Sequence, residues 1–193
     1  SGQHLSSVIN DILDLSQLEA GKWDLEDKEF CLDDCIKETI TMFRSKADEK
    51  LIDIAFQPVD KDTPVYMRGD KNAISRVLLN LISNGVKYTQ SGGSIFCQLS
   101  QTARGQIILA VKDTGVGIPT DRLKSVQEPF EQTNGDHKLS EQGTGLGLNI
   151  VKQYTELMGG AISFDSELNK GSTFLVELPI NLNEQKDEKS IIN

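Results

Sequence analysis

The stretch DKNAISRVLLNLISNGVKYT, residues 70–89, places Asn80, Asn84 and Lys87 four and three residues apart. At 100° per residue they share one helical stripe, beside an apolar stripe of Ile74, Val77 and Leu81. Carboxamide oxygens are hard neutral ligands and an ammonium neutralises phosphate oxygens, so this stripe suits a phosphate-bound magnesium ion. A solvated polar face would show the same spacing. The company it keeps decides between them.

A second stretch, DTGVGIP at 113–119, follows the apolar run IILAV directly. A carboxylate at a strand end, here Asp113, can accept a hydrogen bond from an exocyclic amine such as that of adenine. Gly115 and Gly117 let a flat ligand approach the backbone. In the third stretch, GTGLGLNIVKQYTELMGG, Gly143, Gly145 and Gly147 lead into an apolar periodic segment. A glycine loop entering a helix suggests a phosphate cradle, because a helix N-terminus offers unpaired N–H groups and a positive dipole end. No Lys-Ser or Lys-Thr follows Gly147, which excludes the P-loop, and Leu148 stands where the dinucleotide fingerprint needs its third glycine. DxGxG alone marks a turn more often than a site, and GTGLGL alone is weak. The ordered set NxxxNxxKYT, DxGxGIP, PF, GTGLGL and GST is specific.

The elements that must position these groups alternate irregularly. LIDIAFQ, PVYMRG, GGSIFCQLS, GQIILAVKD, GAISFDS and GSTFLVELP read as strands, several joined as hairpins. Asp33 or Asp34 is positioned to cap a helix burying Ile36, Ile40 and Phe43, and residues 70–89 and 144–158 read as two further helices. This predicts an α+β, two-layer sandwich: a mixed, mainly antiparallel sheet with helices on one face. Residues 131–142 contain one aliphatic residue, Leu139, and read as a mobile loop. Residues 4–20 place Leu5, Val8, Ile12 and Leu15 at alternating spacings of three and four, flanked by Ile9 and Leu18: an amphipathic helix with a coiled-coil-like seam.

Composition narrows the class. Within 193 residues, 20 basic side chains against 29 acidic ones give a net charge of −9, which argues against nucleic acid and anionic membrane surfaces as partners. Cys31, Cys35 and Cys97 form an odd set without metal-ligand spacing, consistent with reduced thiols in a cytoplasmic compartment. No apolar run approaches a membrane span and no signal peptide opens the chain, so any anchor is expected outside it.

In this ordered set of motifs, residues from about 28 to 180 resemble the catalytic ATP-binding domain of sensor histidine kinases. That domain has the ATP-lid fold shared with gyrase, the mismatch-repair MutL proteins and heat-shock chaperone ATPases. NLISNGVKYT resembles the family's asparagine box, DTGVGIP its first glycine box, PFEQ its phenylalanine box, GTGLGL its second glycine box, and Gly171 to Thr173 the last. SSVINDILDLSQLEAGK resembles the end of the second helix of the dimerisation and histidine-phosphotransfer domain. The resemblance implies a layout of 1–21 as that helix end, 22–29 as linker, 30–180 as catalytic domain and 181–193 as a polar tail.

The resemblance further implies ATP and Mg2+ as cofactors, with Asn84 as the metal ligand and Asn80 beside it. Lys87 and Tyr88 would line the phosphate and sugar side, and Asp113 would bind the adenine amine. Gly115, Gly117 and Ile118 would border the ring, with Thr173 supporting it. Residues 131–147 would form a lid closing on the phosphates through Gly143, Thr144, Gly145, Leu146, Gly147 and Leu148. Hydrolytic relatives carry a glutamate as general base where this helix has Asn80; an asparagine cannot take a proton from water, which favours kinase over ATPase. Implied partners are a histidine-phosphotransfer and dimerisation domain, a response regulator or fused receiver domain, and a second copy of the full-length protein. The family's acceptor histidine is followed by an acidic residue, whereas His4 precedes Leu5 and His137 precedes Lys138. The acceptor helix is therefore expected to lie outside this chain. A nucleotide-sensing module that binds ATP without phosphotransfer is the alternative.

Overall fold

The structure is a computed structural model that describes residues 24–123 and 145–179, together with residues 9, 12, 13 and 16–18. Its elements run β1 (Lys28–Cys31), α1 (Leu32–Glu49), β2 (Asp53–Gln57), β3 (Tyr66–Gly69), α2 (Lys71–Tyr88), β4 (Ser94–Gln101), β5 (Ile107–Asp113), α3 (Gly147–Leu157), β6 (Ala161–Glu167) and β7 (Gly171–Leu178). A short 3₁₀ turn spans Thr120–Arg122.

Five strands form one sheet in the order β2-β4-β5-β7-β6. Only β2 and β4 run parallel; the other neighbours are antiparallel. Alternation along the strands turns Ile95, Cys97 and Leu99 of β4, Leu109 and Val111 of β5, and Phe174, Val176 and Leu178 of β7 to one buried face. All three helices pack on that face, so the α+β sandwich with a mixed, mainly antiparallel sheet is the observed architecture.

α2 is the central helix because both its start and its inner face are specified. Asp70 caps it, its Oδ1 accepting from the Asn72 N–H at 2.8 Å and the Ala73 N–H at 3.0 Å. Ala73, Ile74, Val77, Leu78, Leu81 and Ile82 are buried, which fixes the rotation of the helix and turns the Asn80 stripe to the side. Gly85 lets the helix approach the sheet closely: a Cβ there would lie 3.0 Å from the Ile95 side chain.

One local expectation is corrected. Neither Asp33 nor Asp34 caps α1; Cys31 holds that position without a side-chain bond, and both acids lie in the first turn. The carboxylate of Asp33 accepts the Val65 N–H at 2.8 Å instead, tying the helix to the strand-leading loop. Lys28 and Glu29 open β1, which pairs with β3 in a separate antiparallel ribbon. Being half exposed, this strand has little apolar alternation to reveal it. In the N-terminal segment the described residues Ile9, Ile12, Leu13 and Ser16–Leu18 are helical, and Leu18 packs against the core. Leu5, Val8 and Leu15 lie outside the described residues, as does the tail from residue 180.

Candidate functional site

Asn80 and Asn84 sit on the half-exposed flank of α2, the second one helical turn beyond the first. The Asn80 amide is oriented by its own helix, its Nδ2 donating to the Arg76 carbonyl at 2.8 Å, so its Oδ1 is left for other partners. Against this flank comes the start of α3. A Cβ at Gly147 would lie 2.9 Å from Asn80 Oδ1 and 3.6 Å from Asn84 Nδ2, so any larger residue would fill the space between glycine and carboxamides. Gly145, at φ +73°, makes the left-handed turn that swings the chain into this position. Leu146 is fully buried and anchors the turn. The N-cap residue of α3 is Leu146, whose side chain makes no capping bond. Leu148 packs partly buried against the core, and Asn149 is buried with its Oδ1 accepting from Gln153 Nε2 at 3.1 Å.

The other end of the site lies where α2 ends. The Tyr88 carbonyl accepts the Val116 N–H at 3.2 Å, and a Cβ at Gly115 would lie 2.6 Å from that carbonyl. The DTGVGIP loop is thereby folded onto the helix C-terminus. From Asn80 to Tyr88 is eight residues, about 12 Å along the axis at 1.5 Å per residue. Lys87 reaches along the helix surface, its Nζ 4.7 Å from the centre of the Tyr88 ring in a cation–π contact.

Asp113, the last residue of β5, is 7% exposed. Its Oδ1 accepts the Gly115 N–H at 2.8 Å and the Ser172 N–H at 3.3 Å. Burial pushes the carboxyl above its ordinary value, and these two donors hold the shift back. Gly117, at φ +68°, lies against the β6–β7 hairpin so closely that a Cβ would run into the Glu167 carbonyl. A Cβ at Gly171 would run into the carbonyl of Asp113 in the same way. Ile118 is buried in the core, its N–H donating to Ser166 Oγ at 2.8 Å.

The structure therefore brings together two groups along α2: Asn80, Asn84, Gly145 and Gly147 at one end, Tyr88, Asp113, Gly115 and Gly117 at the other. It does not bring Thr173 to Asp113. Thr173 pairs with Lys112 and Asp165 on the outer face of the sheet, whereas Asp113 is registered opposite Ser172 on the inner face. Ser172, only 7% exposed, lies beside Asp113, with Ser166 across the strand from it. The signal was available in the alternation of Phe174, Val176 and Leu178, since an inward Ser172 shares their parity. Gly143, Thr144, the PFEQ segment, the predicted lid at 131–142, His4 and His137 lie outside the described residues.

Residues 69–182 match the family described as histidine kinase-, DNA gyrase B-, and HSP90-like ATPase. The chain belongs to this family. Within this ATPase family its relatives include sensor histidine kinases. The autoinducer 2 sensor kinase/phosphatase LuxQ of Vibrio vulnificus is 36% identical over all of this chain, which spans 23% of that protein's length. Full-length ShkA, solved in complex with AMPPNP, superimposes with a TM-score of 0.81 at 31% identity, over 93% of this chain and 36% of its own. The catalytic domain of the histidine kinase ThkA superimposes with a TM-score of 0.71 at 29% identity, over 82% of this chain and 99% of its own. Among the described residues no helix is long and apolar enough to cross a membrane.

Proposed function

We propose that this chain is the ATP-binding catalytic domain of a two-component sensor histidine kinase. It would transfer the γ-phosphate of ATP to a histidine of a dimerisation and phosphotransfer domain. The observation that carries the proposal is the junction of the α3 N-terminus with Asn80 and Asn84, where a helix start meets two carboxamides across a space that only glycine leaves open. An anion of high charge suits the helix end, and a hard cation suits the carboxamide oxygens. Asp113 supplies a buried acceptor at the far end of the same helix, at the right place for the amine of adenine.

In this arrangement Asn84, with Asn80 beside it, would hold Mg2+, whose contribution is to neutralise the charge of the β- and γ-phosphate oxygens. Lys87 and Tyr88 line the path between base and phosphates. Gly143 to Leu148 close over the phosphates as the hinge of the lid. Asn80 cannot act as a general base, so bound water is not activated at that position and the phosphoryl group is kept for an imidazole acceptor. The layout that goes with this function is a phosphotransfer helix end at 1–21, a short linker, the catalytic domain to about residue 180, and a polar tail. Its partners are a phosphotransfer domain, a response regulator or fused receiver, and a second copy within the full-length protein, all in the cytoplasm.

Calorimetric titration with ATP, with and without Mg2+, tests the proposal. Tight binding that weakens without the metal is the expected result. Binding that is equal with and without it, or no binding at all, would overturn the assignment.

A further inference from the structure

Ser166 on β6 belongs to none of the sequence motifs, yet its hydroxyl joins three segments of chain. It accepts the Ile118 N–H at 2.8 Å, donates to the Gly171 carbonyl at 3.0 Å, and lies 2.9 Å from the Ser172 hydroxyl. A serine hydroxyl has one hydrogen and two lone pairs. With its hydrogen on Gly171 and one lone pair on Ile118, its remaining lone pair receives the hydrogen of Ser172. All three valences of Ser166 are then filled. Ser172, its hydrogen so engaged, is left as an acceptor only, and among the described residues it has no other side-chain partner.

The same short stretch of β7 touches the base-binding carboxylate. The Ser172 N–H donates to Asp113 Oδ1, which is also held by the Gly115 N–H. Asp113 and Ser172 are register partners on β5 and β7, so their side chains share one face of the sheet, and both described bonds to the carboxylate fall on Oδ1. The surrounding backbone is locked: the Asn169 N–H donates to the Val116 carbonyl at 2.7 Å, and Gly117 and Gly171 pack against carbonyls that leave no room for a Cβ. A displaced loop could not easily restore the pair.

We propose that Ser166 is a positioning residue for base recognition, fixing Ser172 Oγ and Asp113 Oδ2 as adjacent acceptors matched to the exocyclic amine of an aminopurine nucleotide. The proposal rests on the ATP site described above and deepens it, since it names which group sets selectivity for the base. Ser166 touches no ligand itself; it acts through Ser172, Gly171 and Ile118.

The test compares affinities for ATP and for purine riboside triphosphate, which lacks the 6-amino group, in the 193-residue chain and its variants, with thermal unfolding followed alongside. Wild type should prefer ATP. In Ser166→Ala the preference should fall by about threefold to tenfold, the loss of one oriented neutral hydrogen bond. Ser166→Thr keeps the hydroxyl and should restore it. If Ser166→Ala does not fold, Ser166→Cys, which fills the space with a weaker hydrogen-bonding group, must show the same fall in preference. A variant that loses affinity for both nucleotides equally, or merely melts at a lower temperature, would show a structural role only and overturn the proposal. Absence of any preference in the wild type would instead overturn the ATP site itself, a failure visible before any substitution is made.

Discussion

Replacing Asp113 by asparagine isolates the chemistry of the base site because the fold dictates how the new amide must lie. Oδ1 of Asp113 is held by two backbone donors, Gly115 N–H at 2.8 Å and Ser172 N–H at 3.3 Å. An asparagine must put its carbonyl oxygen there, since its NH2 would face two N–H groups. The NH2 is then forced into the place of Oδ2 and presents a donor to the donor of adenine. The loss is at least that of one hydrogen bond to a charged group, about 1.5–3 kcal/mol, or roughly tenfold to a hundredfold in Kd. Stability should move the other way. Because burial raises the carboxyl above its ordinary value, the native state holds this proton more tightly than the unfolded chain. The site thus costs stability as pH rises from the ordinary carboxylate value through the raised one, and Asp113→Asn removes that cost. Calorimetric titration of ATP at neutral pH, paired with thermal unfolding of the free protein between about pH 4 and 8, reads both effects. The ATP affinity of the wild type should also fall relative to the variant as the carboxyl protonates. Unchanged ATP affinity in Asp113→Asn would refute the reasoning, as would an apo variant less stable at neutral pH by more than it is at low pH.

Asn84→Ala should weaken ATP binding in Mg2+ but leave metal-free binding near wild type; equal losses in both titrations would remove Asn84 as the metal ligand. Gly117→Ala should destabilise by about 2 kcal/mol or more. A positive φ costs roughly 1 kcal/mol in a residue with a Cβ, and that Cβ would run into the Glu167 carbonyl. The melting temperature should drop by roughly 4–8 °C, and an unchanged value would show that the hairpin does not brace the loop as described.

The sheet, its helices and the places where the structure puts the motif residues were legible because each rests on a local signal. The apolar spacing of Ile74, Val77 and Leu81 determines which way α2 turns, and the carboxamide stripe follows from that rotation. The left-handed turn at Gly145 and the close approach at Gly147 each require glycine, so the spacing in GTGLGL carried structural meaning. What escaped was non-local. Asp33 is a plausible cap by residue type, but its carboxylate meets the Val65 N–H, a partner 32 residues away. β1 exists because β3 pairs with it, and no pattern within Lys28–Cys31 announces that partner. Strand parity was legible too: it puts Ser172 beside Asp113 and Thr173 on the opposite face. Ser166 was invisible because its importance lies in three bonds to residues brought near only by the hairpin.

The most direct test of the kinase assignment is transfer of γ-labelled phosphate from ATP in the presence of a separately supplied dimerisation domain bearing an acceptor histidine. Acid-labile label is expected on that domain, lost with Asp113→Asn or Asn84→Ala. Slow ATP hydrolysis and no acid-labile label are expected on this chain when it is alone, because neither His4 nor His137 is followed by the acidic residue that would orient an imidazole and accept its proton. Rapid release of inorganic phosphate with no label on the added histidine would contradict it and make the chain an ATPase. Label lost from this chain on His4→Ala or His137→Ala would contradict it as well, by placing the acceptor within these 193 residues.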